Sequence, residues 1–192
     1  MMRRLLVPLA ALALTAACAK GATTAGPAKL RAVDYHPLAI GNQWTYAGRM
    51  LGQPVEKTIT IQGMKEGFFA DDANGLLKVD VEGLRDEKRY LLREPIMVGK
   101  TWSAVVSVAS TERFEIADVG FTANTPAGSF HDCVLVRATN RADAERSLRS
   151  EWTFAPNVGI VRISITAVVN GREIPQGSLL ELTSYKLAVP KP

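Results

Sequence analysis

Apolar and polar residues alternate one by one over most of the chain beyond residue 34. Leu77, Val79 and Val81, for example, are separated by single charged residues. The same period of two recurs over residues 55–62, 148–154 and 161–169. Because successive side chains of a strand point to opposite faces of a sheet, this pattern predicts strands with one buried face.

Short turn sequences separate the predicted strands. The strongest is Asn170-Gly171, because both residue types tolerate a positive φ. Further breaks fall at residues 52–54, 65–67, 73–75 and 85–87. Connections this short join antiparallel neighbours, whereas parallel strands need crossovers of about a dozen residues or more. We find no amphipathic helix beyond residue 17, and expect residues 141–149 to form one short helical turn or a polar loop.

The predicted fold class is therefore all-β: a single curved antiparallel sheet, arranged as a meander of about nine or ten strands. Such a sheet must cover its apolar face, so it either closes into a barrel or stays half open. An open apolar groove would mark a site for a lipid or a protein partner. We favour a closed, filled core over a groove. The candidate lining residues in either case are Trp44, Tyr46, Val79, Val81, Trp102, Val106, Leu135, Trp152, Phe154 and Ile163.

One segment of the chain is repeated. Residues 37–44 and 95–102 share proline, two aliphatic positions, glycine and tryptophan in register, at a constant offset of 58 (95 − 37). A weaker third copy covers residues 156–159. Proline fixes φ and glycine permits a tight turn, so each copy predicts a bend that leads into a strand. We interpret the copies as duplicated hairpin units.

The first seventeen residues have the layout of an export signal. Arg3 and Arg4 precede the apolar residues 5–14, and small residues precede Cys18. Ten apolar residues are too few to span a membrane, which takes about 20. Residues 18–33 are mostly Ala, Gly and Thr and are predicted to form a flexible tether. The remaining segments are predicted as one β domain over residues 34–188 and a tail over 189–192.

Charge and cysteine content narrow the class of protein further. The 192 residues include 23 basic and 19 acidic side chains, and loss of Arg3 and Arg4 would leave 21 against 19, a net charge of +2. No basic stripe is present, so a nucleic-acid partner is not predicted. The chain has two cysteines, Cys18 and Cys133. If Cys18 is modified, no internal disulfide can form.

Candidate catalytic and metal-binding residues are few. His131-Asp132-Cys133 contains the components of a Cys-His nucleophile, but in a strand His131 and Cys133 would point to one side and Asp132 to the other. We therefore expect Cys133 to be a small buried apolar residue. The chain has two histidines, His36 and His131, without partners at metal-ligand spacing. Residues 71–75 are read as a turn rather than a calcium loop. We predict no enzymatic activity, no cofactor and no metal.

Residues 15–18 resemble the lipobox of bacterial lipoproteins, with Ala16 and Ala17 before Cys18, although Thr15 stands where leucine is usual. Three further segments resemble small bacterial envelope lipoproteins: PLAIGNQWTY at 37–46, TPAGSFHDC at 125–133 and WTFAPNVGIV at 152–161. In outline this group is similar to the periplasmic lipoprotein carrier and its outer-membrane receptor. That likeness concerns the fold alone and transfers no binding residue.

The resemblance implies cleavage before Cys18 and acylation of its thiol and new α-amine, which would hold the domain on a membrane. Ala19, rather than aspartate, follows the cysteine, which by the usual sorting rule implies the inner leaflet of the outer membrane, facing the periplasm. We expect a non-catalytic binding or structural module of the cell envelope, with envelope proteins or lipid as partners. The alternative is a lipid or lipoprotein carrier with an apolar cavity.

Overall fold

The computed structural model describes residues 30–108, 110–174 and 177–188. Within them the chain forms one short helix and thirteen strands. The elements are α1 (Ala32–Tyr35), β1 (Gln43–Met50), β2 (Gln53–Lys65), β3 (Phe68–Asp71), β4 (Leu76–Asp80), β5 (Gly83–Arg85), β6 (Tyr90–Arg93), β7 (Thr101–Ser107), β8 (Ser110–Thr125), β9 (Gly128–Arg141), β10 (Arg146–Ala155), β11 (Gly159–Val169), β12 (Arg172–Glu173) and β13 (Ser178–Lys186).

All the strands belong to one antiparallel sheet, which confirms the predicted fold class. The order is β6-β5-β4-β3-β2-β1-β13-β11-β10-β9-β8-β7, and β12 pairs with β11 beside this path. The predicted number of strands was too low. Strands β3 to β6 and β12 are two to five residues long, and among these only the segment of β4 alternates regularly enough to be predicted.

Three hairpins turn on two residues that both have positive φ. These pairs are Leu51-Gly52 (49° and 81°), Glu66-Gly67 (52° and 78°) and Asn170-Gly171 (50° and 74°). Positive φ at both central residues is the type I′ geometry, whose twist matches that of the flanking strands. The predicted turns at 65–67 and 170–171 are confirmed, while the turn predicted at 52–54 lies one residue earlier because Gln53 and Pro54 already belong to β2.

Residues 141–149 contain no helical turn, so that alternative was wrong. Arg141 ends β9 and Arg146 begins β10, with a polar bend between them. The Asp143 carboxylate accepts hydrogen bonds from the amides of Glu145 (2.9 Å) and Arg146 (2.7 Å). The side chain thus supplies the partners that a helical turn would otherwise give these amides.

Helix α1 spans the predicted domain boundary at residue 34. Helix α1 buries Ala32 and Tyr35 in the core. The Ala32 amide donates to Glu94 Oε1 at 2.8 Å, and the Tyr35 hydroxyl donates to the carbonyl of Asp132 at 3.1 Å. The predicted signal peptide, Cys18, most of the predicted tether and the tail at 189–192 lie outside the described residues.

The two edges of the sheet approach each other, which gives a nearly closed barrel shape. Edge strand β7 contributes Trp102, whose indole Nε1 donates to the carbonyl of Tyr90 on edge strand β6 at 2.9 Å. Arg89 and Glu112 form an ion pair across the same junction. Side chains rather than a backbone ladder therefore join the edges, and the exposed edge that an open sheet would present is reduced.

The buried apolar residues form two clusters. The larger contains residues of α1, β5, β6, β7, β8, β9 and β10 with Ile96 and Ile160, and the smaller contains residues of β1, β2, β11 and β13 with Ala123, Cys133, Ala155 and Val158. Leu38 and Ile163 pack against both. Consecutive residues Cys133 and Val134 are fully buried in different clusters, so β9 is covered on both faces at this point. Among the described helices, none has the length and apolar content to span a membrane.

Candidate functional site

Most of the residues proposed from the sequence as an apolar lining lie in the packed core. Trp44, Tyr46, Trp102 and Phe154 are buried. Three others are half-buried and pack against the larger cluster: Val79, Trp152 and Ile163. These seven side chains contact one another or neighbouring core residues, which agrees with a filled interior.

The other three lining residues require correction. Val81 is 83% exposed because β4 ends at Asp80, whose carboxylate binds the amides of Glu82 and Gly83 and starts a turn. Leu135 stands between the buried Val134 and Val136, so its side chain points to the opposite face of β9. Val106 is half-buried outside the two clusters, beside the loops that flank β4 and β6.

Aromatic side chains cross the core in a row. Trp102 stacks on Phe114 with a centroid separation of 5.3 Å, and Phe114 stacks on Trp152 at 6.2 Å. The polar atoms of the smaller cluster are also paired: Trp44 Nε1 donates to the carbonyl of Val158 at 2.7 Å, and the Tyr46 hydroxyl donates to the carbonyl of Ile160 at 2.8 Å. Burial raises the pKa of Tyr46, so this hydroxyl stays protonated.

The outer face of strands β7 to β9 carries a shallow depression of about 390 Å³. Arg113, Glu115 and Arg137 line it with hydroxyl-bearing neighbours. Glu115, Arg137 and Glu151 are consecutive cross-strand partners, so charge alternates along this row. Arg137 Nε donates to Glu151 Oε1 at 2.8 Å. We call this surface the outer depression; it offers polar and charged contacts of both signs.

His131 and Cys133 do not form a nucleophile pair. Asp132 has a φ of 54°, which interrupts the regular alternation, so His131 is exposed whereas Cys133 is fully buried. The predicted common side for the two residues was therefore wrong. His131 Nδ1 lies 3.0 Å from the hydroxyl of Thr122, and Cys133 Sγ lies 3.3 Å from the carbonyl of Phe130. Burial raises the pKa of the Cys133 thiol, which disfavours the nucleophilic thiolate.

Acidic residues at 71–75 bind backbone amides. Asp71 Oδ1 accepts from the amides of Ala73 (2.8 Å) and Gly75 (2.7 Å), and Asp72 Oδ1 accepts from the amide of Thr60 (2.9 Å). These carboxylates form an Asx-type turn and are oriented by the chain itself. Over the part of the chain that the structure describes, no three metal-ligating side chains cluster.

His36 is the one polar side chain in the described residues that is buried with an unpaired atom. Its ring stacks on Trp44 at a centroid distance of 5.0 Å, and Nδ1 has no hydrogen-bond partner. Gly159 approaches so closely that a Cβ there would lie 2.5 Å from Nδ1. Burial lowers the pKa of His36 to about 4, because the charged imidazolium would lose its water without gaining a partner.

This burial predicts a loss of stability on acidification. The folded pKa of about 4 lies below the ordinary 6.5, so the unfolded chain binds the proton first. The neutral His36 contributes fully to the free energy of unfolding above pH 6.5, and this contribution falls as the pH drops towards 4. Between pH 7 and pH 4.5 the loss amounts to roughly 2–3 kcal/mol. Urea unfolding at pH 7 and at pH 4.5 measures this loss of stability. The His36→Gln variant should lose this part of the pH dependence, and His131→Gln should keep it; equal pH dependence in all three proteins would contradict the assignment.

The repeated segments form the same turn twice, as the sequence suggested. In the first, the amide of Gly41 donates to Ile61 O (2.8 Å) and the amide of Ile61 donates to Asn42 O (2.9 Å). In the second, Gly99 donates to Ile116 O (2.9 Å) and Ile116 donates to the carbonyl of Lys100 (2.9 Å). Both glycines have positive φ, 90° and 83°. We call these the first and second entry turns.

The entry turns lie at one end of the sheet. Strands β1, β11, β9 and β7 are separated by single antiparallel neighbours, so they run in the same direction and begin at the same end. Helix α1 joins their preceding segments there: Asp34 O accepts from the amide of Asn157 at 2.6 Å, and Glu94 binds Ala32. We call α1, the two entry turns and residues 156–158 the basal end.

Two features of the basal end had no clear signal in the sequence. Asn42 is buried and joins distant segments: its Nδ2 donates to Pro37 O at 2.7 Å, and its Oδ1 accepts from the amide of Ala188 at 2.7 Å. Helix α1 has four residues, too few for a helical period to appear. Residues 30–33 were read as tether, and only Asp34 and Tyr35 of this helix fell within the predicted domain.

Comparisons with known proteins found no matching family model and no matching curated protein. Two solved structures are similar to this chain. One, from Bacteroides fragilis, is described as an exported protein with a YmcC-like fold; it has 16% identity and a TM-score of 0.44 and covers 80% of this chain and 99% of its own. The other, described as a lipoprotein from Parabacteroides distasonis, has 14% identity and a TM-score of 0.41 and covers 79% of this chain and 98% of its own.

Proposed function

We propose that this protein is an acylated envelope lipoprotein that acts without catalysis, as a binding or structural module held on a membrane through Cys18. The export signal and the lipobox-like residues 15–18 support the anchor. Several acyl chains hold a protein stably, whereas one chain gives only marginal binding. Ala19 after the cysteine favours the inner leaflet of the outer membrane, with the domain facing the periplasm.

The main observation against a lipid-carrier function is that the interior of the sheet is filled with side chains. Seven of the ten candidate lining residues are buried in, or packed against, the core clusters, and Trp102, Phe114 and Trp152 stack on one another along the inner face of the sheet. An acyl chain could enter only by displacing packed aromatic rings, which would forfeit their close contacts.

The outer depression is the surface best suited to a protein partner. It lies on the face opposite the core, and its charged residues alternate in sign along one cross-strand row. Alternating charge favours a partner with a complementary pattern and sets its orientation more than its affinity. The partner we propose is therefore another envelope protein with charged residues of both signs.

A photo-crosslinking amino acid in place of Ser103, an exposed residue of the outer depression, tests this proposal in intact cells. We expect a discrete protein adduct on gels after irradiation. The matched control places the same group at Leu51, an exposed hairpin residue at the far end of β1, and should give no such adduct. Absence of an adduct at Ser103, with the protein present at normal levels, would contradict the partner assignment.

The alternative is a lipid or lipoprotein carrier, favoured by the curved apolar face that the sheet presents. This alternative makes a different prediction. A carrier purified from membranes would hold about one lipid molecule without a covalent bond, and organic extraction followed by mass spectrometry would detect it. Our proposal predicts that extraction releases only substoichiometric lipid.

A further inference from the structure

Four aliphatic side chains at the basal end are exposed to solvent. Val33 lies on α1, Ile40 on the first entry turn, and Met97 and Val98 on the second, and each is between 51% and 57% exposed. Scattered exposed aliphatic residues are normal on a soluble surface. These four differ because they share the end of the sheet where the chain enters from Cys18.

The exposed side chains are held rigidly outward. In each entry turn the residue after the proline packs into the core, Ile96 as a buried residue and Leu38 as a half-buried one. The following residues form the tip of the turn, which the paired hydrogen bonds to Ile61 and Ile116 fix in place. Each copy of the repeated segment thus exposes an apolar tip, and the buried residue after the proline and the hydrogen bonds of the turn hold that tip in position.

Two carboxylates of the basal end are engaged in hydrogen bonds within the domain. Asp34 accepts a hydrogen bond from the amide of Arg31 at 2.7 Å, and Glu94 accepts from the amide of Ala32. The Arg31 side chain is 63% exposed, and its Nε lies 4.0 Å from Glu94 Oε1, a long ion pair that leaves the guanidinium group open to solvent. A lipid surface offers hydrocarbon to aliphatic tips and phosphate to a guanidinium group, and so matches this combination.

The length of chain between the anchor and the domain limits how far the basal end can lie from the bilayer. Eleven residues separate Cys18 from Leu30, where the described structure begins. Even fully extended, this segment would reach at most about 40 Å. The four aliphatic side chains therefore stay within reach of the membrane throughout the life of the anchored protein, while the hairpin ends at Leu51 and Val105 lie at the opposite end of the sheet.

We infer that the basal end is a membrane-contact surface, in which Val33, Ile40, Met97 and Val98 insert into the interfacial region of the bilayer that holds Cys18. The inference rests on the proposed acylation of Cys18. Its consequence is a fixed orientation: the strands stand on the membrane with the outer depression facing sideways. A domain on a simple tether would tumble, whereas a docked domain presents one face to neighbouring proteins.

Site-directed spin labelling of the natively acylated full chain tests the contact. Val98→Cys and Ile40→Cys place labels on the two entry turns, and Val105→Cys, at an exposed residue of β7, is the matched control. Buried Cys133 stays inaccessible to the reagent. In vesicles of phosphatidylethanolamine and phosphatidylglycerol, we expect the ratio of oxygen to nickel-complex collision rates to rise several-fold at both entry turns and to stay unchanged at Val105.

Three other results would each overturn the inference, and they are distinguishable. Equal water accessibility at all three labels, in protein that intact mass shows to be acylated, rejects docking and leaves the anchor intact. Protection from the nickel complex without a gain in oxygen collisions indicates a protein contact, such as a second copy of the chain, in place of lipid. An unacylated Cys18 rejects the proposed function and the membrane contact together.

Discussion

Replacing Gly48 by alanine is expected to destabilise the domain by at least about 3 kcal/mol, which would lower the melting temperature by roughly 6–12 °C. Gly48 has a φ of 156°, and a Cβ there would lie 2.0 Å from the carbonyl oxygen of Leu179. The obstructing atom belongs to the backbone of the neighbouring strand β13, so relief requires separation of β1 and β13. Thermal unfolding followed by circular dichroism measures the effect.

Gly63→Ala is the matched control for this substitution. Gly63 also lies within a strand, β2, but a Cβ there would meet no atom within 4 Å. We expect its melting temperature to stay close to that of the wild type, or to rise slightly because alanine restricts the unfolded chain. If Gly48→Ala melted at the same temperature as Gly63→Ala, the close pairing of β1 and β13 would be wrong.

Cys18→Ser is expected to move the protein from the membrane fraction to the soluble periplasmic fraction almost completely. Serine has no thiol to accept the diacylglycerol group, and each acyl CH₂ that enters the bilayer contributes about 0.8 kcal/mol of binding. The four exposed aliphatic residues of the basal end are too few to replace several acyl chains. Cell fractionation with a carbonate wash, followed by immunoblotting, measures the distribution.

Cys133→Ser provides the control for loss of a thiol elsewhere in the chain. Cys133 is buried in the smaller core cluster, so its replacement should lower stability modestly and leave the protein in the membrane fraction. Retention of Cys18→Ser on carbonate-washed membranes would contradict the anchor.

The sequence predicted the sheet well where strands are long and have one buried face. Residues 55–62, in which Lys57 interrupts the apolar side, and residues 161–169 form parts of β2 and β11. The repeated tryptophan segments were also informative, because proline and glycine at fixed positions specify one turn geometry wherever they recur. The two entry turns accordingly share hydrogen bonds as well as residues.

The errors arose where local pattern and tertiary structure disagree. Val81 continues the alternation of β4, but Asp80 binds two amides and ends the strand before it. Leu135 is apolar in a run in which both neighbours are also apolar, so no pattern distinguishes the buried face from the other one. Asp132 adopts a positive φ that separates His131 from Cys133, and a single aspartate gives little warning of such a bend.

The candidate sites also differ in whether they depend on a local sequence pattern or on contacts between distant residues. The sequence identified most of the apolar residues of the interior, and it proposed Cys18 as the anchor, because period-two alternation and lipobox spacing are local patterns. The basal end depends on pairing between residues far apart in the chain, such as Asn42 with Ala188 and α1 with Glu94. No local pattern records such pairs, so the common location of the two entry turns became visible only with the strand order.

Acylation of Cys18 determines both the proposed function and the membrane contact, and intact-mass spectrometry of the natively expressed protein measures it directly. We predict a chain that begins at Cys18, 175 residues long (192 − 17), with additional mass equal to a diacylglycerol group and a further fatty acyl chain. A mass that corresponds to the uncleaved chain, or to a chain cut elsewhere without fatty acid, would contradict the proposed anchor.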